Sequence, residues 1–139
     1  MKPAGKQPPI GYILKALDTA LSAYTDDALR PHQLTRLHWQ TLNSIQQGSS
    51  VSLDHIFEVL GPFADNGRLQ TVVGELEGRK WLRLADQAYT LTAAGEEGLR
   101  LAAETQATVR EQLTRGLTRE DYDAVIETLQ KMLRNVSRS

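Results

Sequence analysis

Apolar residues recur at alternating intervals of three and four along most of this chain, the seam of a helix packed against another helix. The first run takes Ile10, Ile13, Leu14, Leu17, Leu21 and Tyr24, and Pro31 closes that helix or the turn behind it. A second helix is expected from about Thr35 to Gln47. Leu34, Leu37, Thr41 and Ile45 form its stripe, His38 sits at the edge, and Trp39 points away from it. Such a helix is expected to be buried on two faces, and Gly48-Ser49-Ser50 ends it. Ser52 reads as the N-cap of a third helix, with Leu53, Ile56, Phe57 and Leu60 in the amphipathic pattern and Gly61-Pro62 as the stop. Asp65 or Asn66 then caps a fourth helix carrying Leu69, Val72, Val73 and Leu76. Two short amphipathic helices joined by a glycine-containing turn form a helix-turn-helix signature.

The period then changes to two. Leu82 and Leu84 alternate with Arg83, and Tyr89 and Leu91 alternate with Thr90, which predicts a hairpin with Ala85-Asp86-Gln87 at its tip and Arg83 facing outward from the two leucines. A hairpin directly behind a helix-turn-helix is a wing. Thr92 caps a fifth helix that runs to about Gly116, with Leu99, Ala102, Ala103, Val109 and Leu113 on its apolar side. Thr118-Arg119-Glu120-Asp121 has the form of a capping box and opens a sixth helix. Its long seam holds Tyr122, Val125, Ile126, Leu129, Met132, Leu133 and Val136. The expected class is mainly α with a small β-wing, six helices plus a hairpin. Residues 1–9 read as a flexible arm and 10–139 as one domain. Within it, 10–30 is a dimer helix, 32–92 the winged helix-turn-helix lobe and 93–139 further dimer helices. The seams of the first and last helices exceed what one small lobe can cover, which makes Ile13, Leu14, Leu17 and Leu21, with Tyr122, Val125, Ile126, Leu129, Met132 and Leu133, the dimerisation candidates.

Composition narrows the chemistry by exclusion. There are no cysteines, so a thiolate zinc site, an iron–sulfur site and a cysteine nucleophile are out. The formal charge is −1, and residues 32–92 carry five Lys/Arg against six Asp/Glu. Any nucleic-acid contact must therefore come from a small local basic patch. No apolar run approaches the roughly 20 residues that span a bilayer, and no signal-type stretch follows the N-terminal lysines. His32, His38 and His55 lack helical ligand spacing, and no metal or cofactor is expected. The adjacent acidic pairs Asp26-Asp27 and Glu96-Glu97 cannot converge on one point from a helix and read as solvated surface. With no phosphate loop or nucleophile elbow either, an enzyme is not expected.

Four segments in register resemble one family. Leu34-Thr35-Arg36-Leu37-His38-Trp39-Gln40-Thr41-Leu42 resembles the opening of the second helix in the MarR family of multiple-antibiotic-resistance regulators. Leu76-Glu77-Gly78-Arg79-Lys80-Trp81-Leu82 resembles the end of its recognition helix, Leu91-Thr92-Ala93-Ala94-Gly95 the segment behind the wing, and Leu117-Thr118-Arg119-Glu120 the start of the last helix. The resemblance spans nearly all of residues 10–136. It implies a homodimeric winged helix-turn-helix repressor in the bacterial cytoplasm, associated with the nucleoid. It further implies that the dimer sits on a palindromic site of double-stranded DNA and is released by a small, often aromatic effector. The chain departs from the pattern in three ways. The wing lacks the family's arginine element, Lys80 replaces a glycine, and Gly67, Gly74 and Gly78 interrupt the recognition helix.

With the stripe of the fourth helix turned inward, Gly67, Thr71, Gly74 and Gly78 form its outer ridge, flanked by Arg68 and Glu75 on one side and Gln70 and Glu77 on the other. A ridge this small lets a helix sit deep in a major groove, with Arg68, Gln70 and Thr71 at base edges. Arg79, Lys80 and Arg83 are candidate phosphate contacts. The alternative is a weak helix that no longer reads DNA, in a winged-helix dimerisation or protein-interaction module. Tyr24, His38 and Trp39 are candidate effector-lining residues; plain core packing, with His38 hydrogen-bonded, accounts for them equally.

Overall fold

The computed structural model describes residues 7–137. Its elements are α1 (Ile10–Leu29), a 3-10 turn (Arg30–His32), α2 (Arg36–Gly48), α3 (Leu53–Leu60), α4 (Asn66–Gly78), β1 (Leu82–Ala85), β2 (Ala88–Leu91), α5 (Ala93–Leu113) and α6 (Arg119–Val136). This is the expected six helices plus a hairpin, bounded within a few residues of where periodicity placed them. Of the arm expected over 1–9, residues 1–6 lie outside the described residues.

Local side-chain chemistry sets the helix starts. The oxygens of Thr35, Ser52, Asp65 and Thr118 accept the amide N–H of the third residue of α2, α3, α4 and α6, at 3.4, 3.1, 2.8 and 3.0 Å. Thr92 does the same for α5, accepting from Gly95 at 3.1 Å. These bonds satisfy amides that have no partner inside the helix. Of the two candidates for α4, Asp65 is the cap.

The described residues form two compact units, one up to Gln106 and one from Ala107, so the boundary falls inside α5. The core of the first unit gathers Leu37, Leu42 and Ile45 of α2, Ile56 and Leu60 of α3, Leu69, Val73 and Leu76 of α4, and Leu82 and Tyr89 of the hairpin. A second cluster of Leu29, Leu34 and Ala102 has Trp39 and Trp81 packed against it. Helix α2 is thus buried on two faces, as the opposition of its stripe to Trp39 predicts.

The hairpin pairs Leu82 with Leu91, Arg83 with Thr90, Leu84 with Tyr89 and Ala85 with Ala88. Asp86 and Gln87 both have positive φ, 53° and 63°, so the tip is a two-residue type I′ turn, and Ala85 belongs to β1 rather than to the tip. Leu84 is a second correction. It shares a face with Leu82 but is 50% exposed. The hairpin is two-stranded with β1 at one edge, while Val51 pairs with Tyr89 on the other side of β2. Leu84 therefore has cover on one side only. The Val51 N–H donates to the Tyr89 carbonyl at 3.0 Å and the Tyr89 N–H to the Val51 carbonyl at 2.7 Å.

In the second unit, the turn after α5 contains Gly116 at φ 83°, a left-handed position that glycine takes without strain. Helix α6 opens with a reciprocal capping box between Thr118 and Asp121. The Arg110 guanidinium stacks over the Tyr122 ring at 4.4 Å. No residue of α6 is buried, and Val125 and Leu133 are 52% and 63% exposed. Among the described residues no helix is long and apolar enough to cross a membrane.

Candidate nucleic-acid interface

Leu69, Val72, Val73 and Leu76 face the core, and this leaves Gly67, Arg68, Gln70, Thr71, Gly74 and Glu75 exposed along α4. The outer ridge is therefore the one expected from the sequence. The Thr71 hydroxyl donates to the Gly67 carbonyl at 3.0 Å, so its proton is taken, while its methyl group and oxygen lone pairs stay free for a partner. Arg68 is exposed at the N-terminal end of this face and also lines a cleft of about 270 Å³ with Lys15, Asp18, Arg36 and Phe63.

The three cations beyond the helix differ in their engagement. The Arg79 guanidinium donates to the carbonyls of His32 and Gln33 and lies 5.2 Å from the centre of the Trp81 ring. It ties the end of α4 to the turn ahead of α2, a job that spacing alone does not reveal. Lys80 is exposed and left-handed, at φ 67°. Its N–H donates to Glu77 at 2.9 Å and that of Trp81 to Leu76 at 3.0 Å, which makes a Schellman ending to α4 with a lysine where glycine is preferred. Arg83 is exposed on β1, as alternation predicts.

Tyr24, His38 and Trp39 have different surroundings. Tyr24 is exposed on α1, and Trp39 packs into the second cluster. The buried His38 ring bonds Thr35 through Nδ1 and Glu75 through Nε2, at 3.0 and 2.7 Å. Its hydrogen-bonded core role is therefore met.

Arg36 escaped the sequence reading. Its amide donates to the Asp26 carboxylate at 2.7 Å, and its guanidinium donates to Asp18 at 3.0 Å and to the Ser22 hydroxyl at 2.8 Å. Asp26, expected to be solvated surface, instead satisfies an amide at the start of α2. Asp27 does stay at the surface, paired with Arg30 at 2.6 Å. On α5, Arg100 bridges Glu97 and Glu104, and its hydrogen bond holds the Glu97 carboxyl below the usual carboxylate range. At the wing, burial and then the neighbouring Glu77 carboxylate raise the Tyr89 phenol above its ordinary value of 10.0.

No family model and no curated protein sequence matches the chain. Solved structures do. A mutant MarR from E. coli complexed with operator DNA superposes with a TM-score of 0.78 at 20% identity, covering 90% of this chain and 94% of that one. A MarR family protein from Mycobacterium tuberculosis in complex with DNA gives 0.78 at 21% identity, covering 91% and 98%. The fold is that of the MarR regulators. The transcriptional repressor CouR, bound to p-coumaroyl-CoA, shares it, with a TM-score of 0.77 at 24% identity over 91% and 92% of the two chains.

Proposed function

We propose that this chain is a sequence-specific, DNA-binding transcriptional regulator with no enzymatic activity, acting as a homodimer on a palindromic site. One observation carries the reading: a helix-turn-helix presents an exposed, nearly side-chain-free ridge flanked by Arg68 and Gln70, in a fold whose solved examples include DNA complexes. Arg68, Gln70 and Thr71 read base edges, and Lys80 and Arg83 hold phosphates. Arg79 contributes mainly by bracing α4, since its guanidinium is already engaged.

The dimer rests on the exposed apolar residues of α1, Ile13, Leu14 and Leu17 among them, and separately on those of α6. A surface of this kind on each helix marks an interface. Repression released by a small aromatic effector completes the reading. The cleft lined by Lys15 and Phe63 supplies a cation and a ring for a ligand of that type.

Selection from a random duplex library at low salt tests this. A palindromic consensus is expected. Arg68→Ala should then weaken binding by about 1–3 kcal/mol and relax one position of each half-site. No enrichment at any salt concentration would overturn the reading in favour of a protein-interaction module.

A further inference from the structure

His38 joins two elements through one ring. Its Nδ1 lies 3.0 Å from the backbone nitrogen of Thr35, ahead of α2. Its Nε2 lies 2.7 Å from the Glu75 carboxylate on α4. A backbone N–H can only donate, so Nδ1 must be the bare, accepting nitrogen. The proton of the neutral ring therefore sits on Nε2 and is donated to Glu75. The Thr35 hydroxyl, 2.8 Å from Nδ1, is the third group at this end of the ring.

These bonds respond oppositely to a second proton. A proton arriving from solvent on Nδ1 would point at the Thr35 N–H, and that bond must break. The Thr35 oxygen remains as an acceptor for the new N–H, and the bond to Glu75 becomes an ion pair. The ring lies in a groove in which the facing charged groups are Glu75, Asp65 and Arg68, with Thr35 and Leu37 on its own side. Asp65 and Arg68 belong to the start of the candidate reading helix.

We propose that His38 is a proton-sensitive latch between α2 and α4. Neutral, it completes the cap of α2 and holds Glu75 at once. Protonated, it releases the Thr35 amide, keeps Glu75, and offsets one negative charge beside the candidate reading face. Its effect on DNA rests on the DNA-binding reading; the latch itself does not. His38 is a positioning residue that touches no base.

The free full-length protein decides the latch. Nitrogen-15 ring spectra near pH 8 should show the Nε2-protonated tautomer; an Nδ1-protonated ring overturns the proposal. On acidification the Thr35 amide resonance should move with the ring titration, and an unmoved Thr35 amide overturns it too. His38→Gln keeps a capping-box residue at this position but cannot titrate. Wild type should bind a selected duplex more tightly with the ring protonated than with it neutral. In His38→Gln that difference should vanish. The same affinity ratio in both proteins overturns the DNA consequence. If no duplex binds either protein, the proposed function fails, and the two spectra alone decide the latch.

Discussion

Gly95 packs so closely against the main chain of Trp81 that a Cβ at Gly95 would overlap the Trp81 carbonyl oxygen. The same carbonyl accepts the Thr92 amide at 2.9 Å, and Thr92 caps the helix that contains Gly95. The Leu91-Thr92-Ala93-Ala94-Gly95 segment is thus one joint between β2 and α5. Gly95→Ala forces backbone to move and should destabilise the protein by about 1–3 kcal/mol, the usual range for overpacking. Urea unfolding measures it; a loss below about 0.5 kcal/mol, ordinary for a surface change, would mean the joint is slack.

Lys80 offers the opposite case. Its left-handed backbone strains any residue with a Cβ, and glycine relieves that at some cost in unfolded-state entropy. Lys80→Gly should stabilise the protein by about 0.5–1 kcal/mol while weakening DNA binding. A gain in melting temperature with DNA affinity intact would remove Lys80 from the phosphate contacts.

Arg79 and Arg83 separate bracing from binding. Arg79→Ala unpairs two carbonyls and uncovers Trp81, so it should cost about 1 kcal/mol or more of stability. Arg83→Ala should leave stability nearly unchanged, weaken binding on all sequences alike, and lower the salt slope by about 0.9 per subunit for the lost phosphate. Asp86→Asn removes the negative charge at the wing tip while keeping a residue that tolerates positive φ, and it should strengthen binding. Salt titrations of the three variants against wild type test the set; an unchanged slope in Arg83→Ala rejects the wing orientation.

The Tyr89 phenol gives a pH signature at the alkaline end. Its folded-state value is raised, so the native protein holds the proton more tightly than the unfolded chain does. The resulting stability is fully present below the ordinary value of 10.0 and is lost as pH climbs through the raised one. Between 10.0 and the raised value, the stability of wild type to thermal unfolding should fall more steeply with pH than that of Tyr89→Phe, by at most about 1.4 kcal/mol per pH unit. Parallel curves would show that Tyr89 titrates alike in both states.

Features written in consecutive residues were legible in the sequence. Caps at Ser52, Thr92 and Thr118 and the facing of α4 follow from residues three or four apart. What escaped joins distant positions. Arg36 reaches back to Asp18, Arg79 to His32, and His38 forward to Glu75. No local period records such pairs. Leu84 failed for a related reason: alternation assigns a face, but only the order of strands decides whether anything covers it. The tip is one residue shorter than alternation predicts, because two adjacent left-handed residues without glycine carry a weak turn signal.

The pairing of Val51 with Tyr89 has a mechanical consequence. Two hydrogen bonds fasten β2 to the link between α2 and α3, in the middle of the helix-turn-helix lobe. Swinging the hairpin as a rigid flap would break both bonds in a buried setting and pull Tyr89 from the core. Bending is cheapest beyond that point, in the Ala85–Ala88 segment. The base of the hairpin therefore travels with the α2–α3 link, and any movement of that part of the lobe carries Arg83 with it.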